Sequence, residues 1–300
     1  MTKRQGHNLV FVRKPNDIAN EVRYILNLIN PEFDFSPISR VFCDTLRLFG
    51  GEYEGYRACN TRYHDIEHTV MVFLASARLV HAVAITGRDL REIDIDLCLT
   101  ASLLHDAGFI QTDDDIEGTG AKYSIGHERR SIEFIRTYLG ERGYSDDQIS
   151  ACASMIECTI LAVCPSDIVF RDGDVEILGK IVGSADLVAQ IADRIYLEKL
   201  LYLYEEFAEA HIPGFDSELE LLSKTGVFYE EISKKRLNND LGGVSRLMHH
   251  HFRGRWDIDK DLYEEYITKN INYLKSVLQR HEESYRTMLK RGGIVKELSV

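Results

Sequence analysis

Basic charge is what this chain lacks most: 36 lysines and arginines stand against 48 aspartates and glutamates, a formal net charge of −12. A nucleic-acid polymer is therefore an unsuitable partner, because phosphate backbones are bound by basic surfaces. Small anionic substrates stay open, since a bound cation supplies positive charge that composition does not show. Cysteine pairs are missing too. The six cysteines (Cys43, Cys59, Cys98, Cys152, Cys158, Cys164) form no Cys-x-x-Cys and are expected to be reduced. Cys152, Cys158 and Cys164 recur every six residues without the spacing of a zinc site, and are expected to act as small buried apolar side chains. Charge interrupts the apolar stretches before the 18 or more residues a membrane span needs, and Met1-Thr2-Lys3-Arg4-Gln5-Gly6-His7 lacks the apolar core of a signal peptide. The expectation is a protein that meets no membrane and stays in the cytoplasm. Proline numbers only five, and there is no internal repeat and no low-complexity segment.

With 300 residues, 44% of them apolar, the chain can bury a full core. Apolar periodicity of the helical kind recurs along almost the whole length, so the expected fold is all-α. Ile18, Val22, Ile25, Leu26 and Ile29 make a stripe over 17–29. Residues 94–106 are apolar on most sides, as a central buried helix is. Two more helices, 127–139 and 146–161, flank a glycine-containing turn with Ser145 as N-cap, and 223–237 and 259–281 complete the series. Residues 108–126, with the acidic run Asp113-Asp114-Asp115-Ile116-Glu117, and residues 164–175 read as loops. The expected organisation is an N-terminal helical extension over 1–45, a metal-binding catalytic core over 46–215, and C-terminal helices over 216–300 packed on that core, or all three as one continuous domain.

The pair His105-Asp106 closes the apolar run Leu99–Leu104, and Tyr63-His64-Asp65-Ile66-Glu67-His68 precedes it. Adjacent imidazole and carboxylate groups reach one cation only where a helix breaks, and Ala107-Gly108 supplies a break. His64 and His68, at i and i+4, are expected on one helix face about 5–6 Å apart. This arrangement reads as a metal site.

The order His68, then His105-Asp106, then a distant aspartate resembles the signature of the HD-domain metal-dependent phosphohydrolases. The Tyr-His-x-x-x-His start is similar to the branch containing cyclic-nucleotide phosphodiesterases, with Asp65 where that branch has asparagine. Ile181-Val182-Gly183-Ser184-Ala185-Asp186-Leu187 fits the family's last metal aspartate, and the resemblance spans roughly residues 56–207. It implies an HD-type helical bundle with His68, His105, Asp106 and Asp186 as metal ligands. Two imidazoles and two carboxylates suit zinc, manganese, iron, magnesium or a similar divalent ion, and Asp106 would bridge to a second ion about 3.5–4 Å away. His64 is implied as the general acid that protonates the leaving oxygen.

His127 and Glu128 open a helix where the superfamily supplies a further histidine ligand or a glutamate holding water. Met155-Ile156-Glu157-Cys158-Thr159 lies where related proteins carry a further histidine or, in the phosphodiesterase branch, a water-holding threonine. The absence of histidine between His127 and His211 argues against a cage that needs one more. Arg62, Lys122, Arg129 and Arg130 flank the motifs and are candidate phosphate donors. His249-His250-His251 is expected at the surface or as a cap, because consecutive helical side chains diverge by about 100°; Tyr202, Tyr204 and Phe207 are expected in the core. The implied activity is hydrolysis of a phosphomonoester or phosphodiester of a small molecule, with a nucleotide as first candidate. A di-iron oxygenase and a catalytically silent nucleotide-binding module are the alternatives.

Overall fold

The computed structural model describes residues 14–279 and 285–298. Helices run Pro15–Ile29 (α1), Ser36–Gly50 (α2), Ile66–Ile85 (α3), Glu92–Leu104 (α4), His127–Gly140 (α5), Asp146–Glu157 (α6), Gly173–Ala192 (α7), Tyr196–Glu209 (α8), Glu218–Val227 (α9), Met248–Trp256 (α10), Leu262–Leu278 (α11), Tyr285–Met288 (α12) and Ile294–Glu297 (α13). Among the described residues the sole extended pairing is one bridge, Tyr56 with Thr112. The fold is all-α.

Local chemistry sets the helix ends. Asp65 accepts the backbone N–H of His68 and caps α3, Asp172 accepts from Asp174 and Val175 to cap α7, and Ser145 with Gln148 forms a capping box on α6; each satisfies donors that the first turn leaves unpaired. The N-terminal stripe appears as expected on α1, whose Ile18, Val22, Ile25 and Leu26 are buried against α3.

Two helices organise the rest. α3 packs against α7, α1, α4 and α10, while α7 also touches α4, α6 and α11. α3 is apolar on nearly every side, with a mean hydropathy of 1.6, long and apolar enough to cross a membrane by composition alone; 83% of that window is buried inside the fold. Arg78 interrupts the run, as the sequence leads one to expect, and enclosure by its neighbours makes it a core helix. Arg78 on α3 is fully buried and donates to the Tyr263 hydroxyl on α11 at 2.8 Å. Gly183 lets α7 close on the end of α6, where an added Cβ would lie 2.4 Å from the Cys158 carbonyl oxygen.

Four expectations change. α6 stops at Glu157 rather than at residue 161. The helix expected over 223–237 is α9 followed by π-helical turns at Phe228–Ser233 and Arg236–Asp240. His251 is fully buried, its Nδ1 3.1 Å from that of His81, because α10 packs on α3. Of the three evenly spaced cysteines, Cys152 and Cys158 are buried and Cys164 is exposed.

Candidate metal centre

Three elements bring the metal candidates together. His68 lies in the first turn of α3, His105 and Asp106 follow the last residue of α4, and Asp186 lies within α7. The Nε2 of His68 is 3.3 Å from that of His105, 3.4 Å from Asp106 Oδ2 and 3.1 Å from Asp186 Oδ1. His105 Nε2 is 3.3 Å from Asp106 Oδ2 and 3.7 Å from Asp186 Oδ1. Beyond Asp106 the chain turns through Ala107–Phe109, so both members of the dyad face one point.

Gly108 is needed there for space. A Cβ would lie 1.9 Å from the His127 carbonyl oxygen, so only glycine lets the turn meet the start of α5. Ser131 of α5 fastens the contact, donating to the His105 carbonyl at 2.5 Å and accepting from the Gly108 N–H at 2.8 Å.

The donor set fits a divalent cation. His105 Nδ1 donates to the Ser102 carbonyl at 2.9 Å, which leaves the Nε2 lone pair facing the cluster, the tautomer a metal ligand needs. Asp106 Oδ2 is buried and has no hydrogen-bond partner, a costly state for a carboxylate oxygen unless a cation faces it. Burial opposes charge on His105, but Asp106 and Asp186 outweigh it and raise its pKa to about 9. Burial likewise opposes charge on Asp186, yet the imidazoles of His105 and His68 hold it far below the carboxylate range. A proton shared among these groups occupies the place of the cation they could bind.

A second group adjoins the first. His127 Nε2 is 3.5 Å from Asp106 Oδ1, the oxygen turned away from His68 and His105, while its Nδ1 donates to the Ser124 carbonyl at 3.0 Å. Burial lowers the His127 pKa despite Asp106 and so favours the neutral imidazole that coordination requires. Glu128 comes within 3.6 Å of the same ring.

His64 lies before the N-cap of α3, so the expected shared helix face with His68 is corrected; their rings are still only 6.1 Å apart. Asp65, the cap, separates them. Glu206 of α8 holds His64 in place: its Oε2 accepts from His64 Nδ1 at 2.7 Å, and its Oε1 accepts the backbone N–H groups of Arg62 and Tyr63 at 2.8 and 2.7 Å. Burial would lower the His64 pKa, but Glu206, with help from Asp106 and Asp186, raises it to about 9. The Phe109 ring stacks on both His64 and His127, at 4.3 and 4.2 Å.

These groups open into a cavity of about 490 Å³ that His64, Asp106, His127, Glu128, Asp186 and Thr159 all line. The four basic candidates do not line it. Arg62 lies over the Tyr202 ring and pairs with Glu205 and Glu297. Lys122 pairs with Asp115. Arg130 donates to the Gly108 carbonyl and covers Tyr123, and Arg129 is exposed. Phe207, expected in the core, lines the cavity instead.

Glu206, Phe109 and Gln190 were not singled out from sequence. Glu206 had one signal, since Glu198, Tyr202 and Glu206 recur every four residues and share the buried face of α8. Residues 65–195 match the family model of the HD domain. No curated protein and no solved structure matches the chain. The matched segment contains His68, His105, Asp106 and Asp186, so the candidate metal centre lies within an HD domain.

Proposed function

We propose that this protein is a metal-dependent phosphohydrolase acting on a phosphoester of a small molecule. The observation that carries the reading is the convergence of the buried His68, His105 and Asp106 within 4.8 Å of one another, with Asp186 Oδ1 3.1 and 3.7 Å from the two imidazoles and a buried Asp106 oxygen left without a hydrogen-bond partner. These four residues would hold a divalent ion, and Asp106 Oδ1 with His127 would hold a second. An ion held there would supply Lewis-acid polarisation of a phosphoryl oxygen and would lower the pKa of coordinated water.

The protein's own groups complete the chemistry. His64, fixed through Nδ1 by Glu206, presents Nε2 as the proton donor to the leaving oxygen, and the raised pKa keeps that proton in place at neutral pH. Glu128, at the cavity wall and 3.6 Å from the His127 ring, is the carboxylate that would orient water. Phe109 fixes the planes of His64 and His127 and excludes solvent between them.

Phosphate release from a panel of phosphomonoesters and phosphodiesters, with Mn²⁺ or Zn²⁺ added and oxygen removed, tests this reading. Metal-dependent release from at least one ester, lost in Asp106→Ala, is the expected result. Turnover only with iron and oxygen together, or binding without turnover of any ester, would overturn it.

A further inference from the structure

The cavity beside the metal candidates is mostly apolar away from the donors. Leu203 and Phe207 of α8, Phe215 of the following loop, and Leu221 and Phe228 at α9 form a continuous wall, with the Phe207 and Phe215 rings 5.1 Å apart. The rim is apolar as well. Ile125 and Leu161 line the opening while 76% and 47% exposed, a state that costs solvation unless an apolar ligand covers them.

Most polar side chains of this wall, the Tyr196 hydroxyl aside, are already engaged. Ser124, Thr159 and Thr225 each give their hydroxyl proton to a carbonyl of their own turn. The Gln190 carboxamide accepts from the Tyr63 hydroxyl and donates to Asp186, so neither of its ends is free to read a base edge. Lys224, the one Lys or Arg among the described lining residues, bonds the Gly214 carbonyl and Glu220. A nucleoside carries several donors and acceptors that would lose water here without replacement, at a cost for each.

Arg236 makes the rim a fixed feature. Its buried guanidinium donates to the carbonyls of Cys158, Ile160 and Val163 at 2.8–3.0 Å, holding the segment that carries Leu161.

We infer that the substrate is a phosphoester whose alcohol is apolar, an alkyl or aryl group, rather than the nucleotide that the sequence suggests. The inference rests on the phosphohydrolase reading. For a monoester, water adds its oxygen to phosphorus and gives up one proton, which restores His64; the P–O bond to the alcohol breaks, the alcohol oxygen takes the proton His64 held, and ROH and hydrogen phosphate leave.

Phosphate release from ethyl, butyl and hexyl phosphate, from phenyl phosphate and from adenosine and guanosine monophosphates separates the possibilities. The expected result is a kcat/KM that rises about fourfold per added methylene, from 0.8 kcal/mol per buried CH₂, and exceeds that of both nucleotides at hexyl. The phenyl arm tells whether the wall takes a ring or a chain. Calorimetry with the matching alkylphosphonates, which are not hydrolysed, should show the same slope in affinity. Leu161→Ser, at an exposed position, and Phe215→Ser should each flatten that slope by about fourfold or more between ethyl and hexyl. Nucleotide turnover with no chain-length slope would overturn the inference and leave the phosphohydrolase reading intact, and no release from any ester would overturn both.

Discussion

At the residue scale the proposed function divides metal holding from proton donation. His64→Ala is expected to leave metal content unchanged and to lower kcat by about 10²–10⁴-fold for esters of poor leaving groups, the range for a positioned acid. Nitrophenyl esters, which need little protonation, should be spared. Equal losses on both would remove the proton-donor role. His68→Ala should lose metal and activity together, as elemental analysis would show. Glu206 acts through His64, and pH separates that role from a merely structural one. The His64 proton, held to about pH 9, should give an alkaline limb in the rate profile as it is lost. Glu206→Gln removes the carboxylate that outweighs burial, so this limb should move to lower pH; an unmoved limb would refute the coupling.

At the element scale the site depends on close approaches that only small residues permit. Gly108→Ala places a Cβ against the backbone of His127, and overpacking of this kind costs about 1–3 kcal/mol. A fall in melting temperature together with weaker metal binding is expected, because the turn joins the His105-Asp106 pair to α5. Gly140→Ala, where nothing lies within 4 Å, serves as control and should be neutral or slightly stabilising. Arg236→Met should lower stability by about 1–3 kcal/mol, since it strips donors from buried carbonyls. The same contact explains what the sequence could and could not show. The α1 stripe and the Ser145 N-cap of α6 are local signals and were legible. The end of α6 was not, because the carbonyls of 158–163 are satisfied by an arginine 78 residues away from Cys158, and without it the apolar pattern reads as four more residues of helix. His64 was misplaced for a local reason: Asp65 caps α3, so the i, i+4 rule applies from the cap onward and does not reach back to His64. His105-Asp106 and Asp186 were legible as a compound motif, whereas Phe109 joins the site through tertiary packing, and Glu206 showed only its place on the buried face of α8.

At the scale of the whole molecule, metal binding and stability are linked through protons. In the metal-free protein His64 and His105 have pKa values of about 9 against about 6.5 in an unfolded chain. Groups raised in this way contribute stability that is fully present below about pH 6.5 and lost as pH rises through about 9. The metal-free melting temperature should therefore fall between pH 7 and 10. Bound metal requires His105 without its proton, so the loaded protein should lose the His105 part of that dependence, and metal affinity should rise with pH over the same interval. Scanning calorimetry of both forms across that interval checks the pair of trends. The central claim is that four residues from three separated stretches of chain form one cation site within an acidic, all-α fold. Titration of the metal-free protein with Zn²⁺ or Mn²⁺, in wild type and in Asp106→Ala and Asp186→Ala, measures it most directly. One or two ions bound per chain in wild type, with the tight site lost in both variants while their helical content is retained, is the result the account predicts; binding unchanged by either substitution would contradict it.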